Sequence, residues 1–330
     1  MRKWLVSGVL SAVLAGVWPA MVAVAATPAP SPSGAATASP GQGLEISPPV
    51  IELSADPGQT VTTTIRVRNV ANGDLIAKGR ADDFGAGDDE SGQPKLLLDE
   101  TGATRYSLKY WVSNVPDLRL AAGELKSTTI TIKVPANAEP GGHFGVVRFT
   151  AVPPDLAGTG VALSASVGTL VLLRVSGAIT DKVSLAEFSA GQNDQKHSFF
   201  EHGPVDFIVR VKNEGSVHEK VQGTIAVTGM FGQKMGNVAV NDKGGNVLPG
   251  SIRKFQQTLG TKALFGYYTA QLNLTYLDGK NKLTGKLGFW VIPWKLILLA
   301  LVGLAVLGWL LRLGIKRYNA HIIAQARRGR

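Results

Sequence analysis

The chain contains no cysteine in 330 residues. That excludes disulfides and a thiolate nucleophile, so any folded part is held by core packing alone. An exported eukaryotic β-domain usually carries cystines. Their absence favours the surface of a bacterium with a Gram-positive-like, single-membrane envelope. Histidines number five, and none forms a metal pattern. His143 follows two glycines, His197 and His202 lie in a polar stretch, and His218-Glu219 lacks the second histidine of a zincin helix. There is no G-x-S-x-G elbow, no phosphate loop, and no carboxylate pair placed by sequence in a recognisable cleft. No catalytic apparatus is visible. The expectation is a protein that is not an enzyme and carries no cofactor. An envelope hydrolase is the least favoured of three readings. Between Leu44 and Phe289 no long stretch of helical periodicity appears either.

Two apolar runs bracket this helix-poor stretch. Arg2 and Lys3 precede an apolar segment from Trp4 to Val24, which ends at Ala23-Val24-Ala25. A positive start, an apolar centre and a small-residue site read as a secretory signal over residues 1–25, cleaved after Ala25 or Ala26; an uncleaved anchor is the alternative. Near the other end, Trp290 to Leu313 reads WVIPWKLILLALVGLAVLGWLLRL. As a helix rising ~1.5 Å per residue it is long enough to cross a bilayer core of about 30 Å. Lys295 sits near one end, where its amine can snorkel, and Trp290, Trp294 and Trp309 lie toward the two interfaces. A buried helix of a soluble protein, or a tail lying on the membrane, is the alternative.

The formal charge of +10 is unevenly placed. Arg2 and Lys3 account for two of these charges. Arg312, Lys316, Arg317, Arg327, Arg328 and Arg330 account for six, which leaves +2 for everything else. The high pI thus reports topology and no phosphate-binding footprint, and nucleic acid is not an expected partner. A basic tail over residues 314–330 orients the span with its C-terminus in the cytoplasm and is suited to anionic lipid. The expected protein is a single-pass, type I membrane protein with an extracellular ectodomain, contacting the bilayer through Val291–Leu313.

Residues 26–43 are rich in Pro, Ser, Ala and Thr and read as a disordered linker. Roughly 245 residues remain before the span, enough for two domains of ordinary size. Gln59–Asn69 places Val61, Thr63, Ile65 and Val67 on one face, and Ser127–Val134 alternates likewise. His143–Val152 and Val167–Val175 are more continuously apolar, as central strands are. Turn signals such as Asp56-Pro57-Gly58 and Glu139-Pro140-Gly141-Gly142 separate the strands. A second set begins near Val183 and includes Val205–Asn213 and Tyr267–Leu277. The pattern predicts an all-β fold, two immunoglobulin-like β-sandwich domains over 44–180 and 181–289, followed by the transmembrane helix over 290–313. The segment around Gly177–Lys182 is the expected joint, where the domains flex. IRVRNVANGD from Ile65 and VRVKNEGSVH from Val209 each end an alternating strand on Asn before a Gly turn, a weak internal repeat.

Gly123-Glu124, STTITIKVP from Ser127 and AEPGGHFGVVRFTAVPP from Ala138 follow one another in the first half. VKNEGSVHEKVQGTIAV, NVLPGSIRKF and FGYYTAQLNL follow in the second, ahead of the apolar span and basic tail. This succession resembles the WxL-interacting protein family of bacterial cell surfaces and is similar, more distantly, to the first domain of pilus chaperones. The resemblance implies a membrane-anchored scaffold that binds peptidoglycan with one domain and surface proteins with another. An assembly chaperone or stalk acting by β-strand donation is the alternative function.

Particular residues offer weaker signals. Asp82, Asp83, Asp88, Asp89 and Glu90, spaced by glycines, are calcium candidates, although the spacing is not an EF-hand and a solvated hairpin loop is the plainer reading. The strand with His143, Phe144 and Arg148 offers partner-binding residues if it lies at a sheet edge; an ordinary core strand is the favoured reading. Tyr106, Tyr110 and Trp111 suit a glycan-binding face; a sandwich core or corner is the favoured reading.

Overall fold

A computed structural model of the chain describes residues 43–98, 101–113, 115–152, 165–193 and 195–328. The expected signal, the expected linker up to residue 42, and the last two residues of the tail lie outside the described residues. The first ten strands are β1 (Leu44–Ser47), β2 (Val50–Ala55), β3 (Thr60–Asn69), β4 (Leu75–Ala86), β5 (Pro94–Leu97), β6 (Val112–Ser113), β7 (Leu118–Leu120), β8 (Leu125–Lys133), β9 (Gly141–Val152) and β10 (Ser166–Val175). Next come β11 (Val183–Gln192), β12 (Gln195–Lys196), β13 (Phe199–Phe200), β14 (Val205–Asn213), β15 (Glu219–Lys220), β16 (Gln222–Gly229) and β17 (Lys234–Val240). β18 (Asn246–Val247), β19 (Ile252–Leu259), β20 (Gly266–Tyr276) and β21 (Asn281–Val291) lead into the helix α1 (Trp294–Arg328).

The strands make two immunoglobulin-like sandwiches. The first faces a sheet ordered β1-β3-β8-β6 against one ordered β2-β10-β9-β4-β5, with β7 also on β4. The second faces β12-β11-β14-β19 against β13-β21-β20-β16-β17. The chain crosses between the first two sheets at Ser47-Pro48, a cis peptide, so β1 pairs antiparallel with β3 and β2 runs parallel to β10. Alternation puts Ile65, Val67, Ile130, Ile132, Phe149 and Leu173 in the first core. Phe207, Val209, Ile225, Leu272, Leu274 and Phe289 fill the second.

β9 lies between β10 and β4 and is not an edge strand. It is buried along nearly its whole length, more than one sandwich explains. Val147, Phe149 and Ala151 face the first core. Phe144 and Val146 point the other way and join Phe84 and Leu172 in a separate cluster, against which Leu248 of the second sandwich packs.

The repeated asparagine ends each of β3 and β14, and both side chains are fully buried. Asn69 Nδ2 lies within hydrogen-bond reach of the carbonyls of Gly73, Leu120 and Ala121, and its Oδ1 accepts from Ala71 N–H at 2.9 Å. Asn213 Nδ2 donates to the carbonyls of Val217 at 2.7 Å and Val247 at 2.8 Å, and its Oδ1 accepts from Gly215 N–H. Each amide thus ties together backbone groups of separate segments at the corner where the chain turns.

The helix begins at Trp294, not at Trp290 as expected. Trp290 and Val291 pair with Tyr267 and Gly266 as the end of β21, and Pro293 intervenes before the first helical turn. The helix also runs past Leu313 to Arg328.

Replacing Asn213 with Ala leaves two carbonyls and one N–H unpartnered in the interior. The expected loss is about 2–3 kcal/mol in urea unfolding, against under ~0.5 kcal/mol for the exposed Asn237→Ala. Equal midpoints for the two variants contradict this role.

Candidate binding cleft between the two sandwiches

The sandwiches meet through ionic and apolar contacts on both sides of the joint. On β2, Glu52 accepts from Lys220 Nζ at 2.6 Å and from Asn246 Nδ2 at 2.8 Å. Burial works against this carboxylate, but the bonds from Lys220 and Asn246 outweigh it and hold its pKa below the usual range. Beyond β4, Glu90 accepts from Arg210 Nε at 2.7 Å, and its backbone carbonyl accepts from Lys254 N–H at 2.8 Å. The Arg210 guanidinium keeps Glu90 well below the usual carboxylate range. Glu187 takes the other side of Arg210 at 3.3 Å. The turn Pro140-Gly141-Gly142 abuts the loop after β14. Gly142 N–H donates to Ser216 O at 2.8 Å, and a Cβ on Gly141 would come 2.9 Å from that oxygen. The joint at Gly177–Lys182 is therefore braced from the outside.

Between these braces lies a cleft of ≈ 530 Å³. Phe84, Leu170, Leu172 and Leu248 give it an apolar floor, and Lys220, Lys243 and Arg253 give it cationic walls. The Arg253 guanidinium is wedged between the two sandwiches: a Cβ on Gly92 would lie 2.2 Å from it and one on Gly245 2.4 Å. Arg253 Nη1 donates to Asn246 O at 2.7 Å, and burial pulls its pKa down. Its Nε has no partner, and neither does Asn246 Oδ1. A buried donor and a buried acceptor thus lack hydrogen-bond partners beside the cleft, while its apolar floor with a few charged groups on the walls is the usual make-up of a ligand site.

A second cavity of ≈ 430 Å³ lies beyond the Glu52–Lys220–Asn246 bridge and is lined by Arg174, His218, Glu219 and Tyr276. His218 sets its ring edge-on to Phe144, with centroids 5.8 Å apart. Burial pushes its pKa down to about 4. Glu219 is buried, and its Oε1 is unpartnered. Desolvation, then the neighbouring Asp181 carboxylate, push it up to about 7. Asp181 is itself held by Arg174 at 3.3 Å.

The acidic residues singled out by sequence are dispersed. Asp82 is buried and gripped by Arg148, with Nη2 at 2.9 Å, and by Arg80 at 3.0 Å. Asp83 is buried too and accepts from the N–H groups of Leu108 and Lys109. Asp88 pairs with Lys95, Asp89 accepts from Ser91, and Glu90 binds Arg210. Among the described residues, no three acidic, histidine or cysteine side chains are gathered to hold a metal. Arg148 is thus committed to Asp82. His143 stacks on Trp111 at 4.2 Å, facing the first core, with Nε2 on Glu139 O. Tyr106 packs on Phe144, and Tyr110 is exposed. The three aromatics sit in different surroundings, so they make no continuous face. Of these residues, Phe144 belongs to the apolar cluster beneath the second sandwich. Glu52, Lys220, Leu248 and Arg253 were missed. Gly245 reads only as part of a turn, since the guanidinium it accommodates is brought there by tertiary contact.

No family model and no curated protein matches the chain. Among solved structures it is similar to the class 5 fimbriae chaperone CfaA, at 15% identity and a TM-score of 0.38 over 74% of this chain and 98% of that one. It is also similar to the E. coli chaperone DraB, at 12% identity and 0.35 over 76% and 98%. The Pseudomonas aeruginosa CupB2 chaperone matches at 13% and 0.31 over 73% and 97%.

The two shifted groups beside Phe144 pull stability in opposite directions with pH. Glu219 binds its proton more tightly folded than unfolded, so its contribution is complete below its ordinary 4.5 and is lost as pH rises toward about 7. His218 is held neutral, so its contribution is complete above 6.5 and is lost as pH falls toward about 4. The slopes oppose each other in the shared window. Glu219→Gln should therefore make unfolding stability rise from pH 4.5 to 6.5, and His218→Asn should make it fall, in a urea series. Variants that both follow the parent curve contradict the assignment.

Proposed function

We propose that the chain is a single-pass membrane protein that displays both sandwiches outside a bacterial cell and holds a cell-envelope ligand in the cleft between them. The stretch Trp294–Ala320 is 27 residues of apolar helix with none of its most apolar window buried against the rest of the chain. A core helix of a soluble protein would be covered, whereas about 40 Å of uncovered apolar helix suits a bilayer. Arg312, Lys316 and Arg317 follow the most apolar part, which supports a cytoplasmic C-terminus.

The observation that carries the ligand reading is the apolar Phe84–Leu172–Leu248 floor walled by the cations Lys220, Lys243 and Arg253. The ligand favoured is peptidoglycan, whose peptide stems bring carboxylates, amides and small methyl groups. These match cationic walls and an apolar base. The resemblance to WxL-interacting proteins accords with this reading and adds a surface protein as the second partner. A strand-donating role has no support from β9, which is interior; β2, β5 and β19 are strands at the ends of their sheets that line the cleft.

The test is sedimentation of the full chain in detergent with purified peptidoglycan. The chain should pellet. Gly85→Leu should abolish pelleting by plugging the cleft, because a Cβ at Gly85 meets nothing within 4 Å. Arg253→Gln should weaken binding about tenfold or more, the effect of one charged hydrogen bond. A chain that stays in the supernatant, or a Gly85→Leu variant that pellets like the parent, sinks the reading.

A further inference from the structure

Every large hydrophobic side chain exposed on the described second sandwich lies at one end, the end from which the helix leaves. These are Phe199, Met230, Phe231, Phe265, Tyr267 and Trp290. Register places three of them in a row on the outer face of the sheet: Phe199 pairs with Trp290, and Trp290 with Tyr267. The Tyr267 and Trp290 rings are 5.1 Å apart. Met230 adjoins the start of β20, its sulfur 3.5 Å from where a Cβ on Gly266 would stand. Phe231 follows in the β16–β17 turn at 88% exposure, and Phe265 precedes β20 at 68%. Trp294, the first residue of α1, is exposed beside them.

A set of aromatics this bare on a secreted-type sandwich is costly in water. Ile292 and Pro293 alone separate β21 from α1, so Trp290 in this row lies within about 14 Å of the first helical residue. Lys234 borders the β16–β17 turn, and Lys262 precedes Phe265 by three residues. Lys295 stands in the first turn of α1 and pairs with Glu201 at 2.7 Å. Aromatic rings with a cationic border, continuous with an apolar helix, have the composition of a membrane-interface belt.

We infer that these residues form a collar that seats the second sandwich directly in the headgroup layer of the membrane crossed by α1. The inference rests on the reading of α1 as a span. The occupant is phospholipid, because the surface is continuous with the span and its cations suit anionic headgroups. The collar also sets the height of the cleft. β20 runs from Gly266 at the collar to Tyr276 in the wall of the second cavity. Ten rises of ~3.3 Å hold the sandwich junction about 30 Å above the headgroups.

The cysteine-free chain makes the test direct. Single cysteines at Lys234, Lys262, Lys280 and Leu304 are spin-labelled in the full chain, reconstituted in phosphatidylglycerol-containing bilayers. Relaxation by oxygen and by a nickel chelate then reports depth. The expected result is a mid-bilayer value at Leu304, headgroup-level values at Lys234 and Lys262, and an aqueous value at Lys280. Adding Phe231→Ser and Phe265→Ser should return the Lys234 label to the aqueous value with Leu304 unmoved and the circular dichroism unchanged. Aqueous values at Lys234 and Lys262 beside a deep Leu304 overturn the collar and leave the span intact. Labels shielded from both reagents indicate a protein contact and overturn it too. An aqueous Leu304 overturns the span itself.

Discussion

The burial of the outer face of β9 is the constraint on which the two-sandwich arrangement depends. Phe84, Phe144, Val146 and Leu172 form an apolar face that the first sandwich cannot cover by itself. Left in water it would be an exposed patch of large side chains. Leu248 and His218 of the second sandwich cover part of it, and the rest becomes the floor of the cleft. The cleft therefore exists because the lid over this face is incomplete.

Around that apolar contact the pairing is ionic. Glu52 with Lys220 and Glu90 with Arg210 tie the sandwiches at two places, and both pairs are partly exposed, which limits what each adds to stability. Their geometry matters more than their energy. They flank the gap in which the Arg253 guanidinium lies against Gly92 and Gly245, its Nε buried without a hydrogen-bond partner. The deeper groups, His218 and Glu219, carry opposite shifts. The junction thus has an imidazole that burial keeps neutral and, next to it in sequence, a carboxyl that burial and Asp181 make bind its proton more tightly.

The second sandwich is asymmetric along its strands. One end carries buried polar groups, the asparagine corner at Asn213 and the cavity walls. The other carries bare aromatics and the root of the helix. β14 and β20 connect these ends as straight ladders, so a chemistry suited to a ligand and a chemistry suited to lipid are kept apart at a fixed spacing. This division fits a protein that works between a membrane and what lies above it.

Much of the fold was legible from local pattern. The alternation in β3, β8, β14 and β20, the paired asparagines and the apolar run near the end all follow from short-range rules of side-chain direction, turn chemistry and hydropathy. Those rules act within one strand or one turn, and the residues concerned behave as their neighbours in sequence dictate. They could not locate β9 inside its sheet, because an apolar strand looks alike whether its second face meets a core or another sandwich. Nor could they start the helix at Trp294, since a tryptophan paired in a sheet and one opening a span read the same. The acidic run of Asp82 to Glu90 looked like a cation loop, yet its members were claimed by Arg148, Lys109, Lys95, Ser91 and Arg210, four of these on other segments of the chain. Sequence by itself determined the strands, their buried faces and the apolar helix. Only the tertiary structure decided the junction, its cleft and the aromatic end, because each depends on which distant surfaces meet.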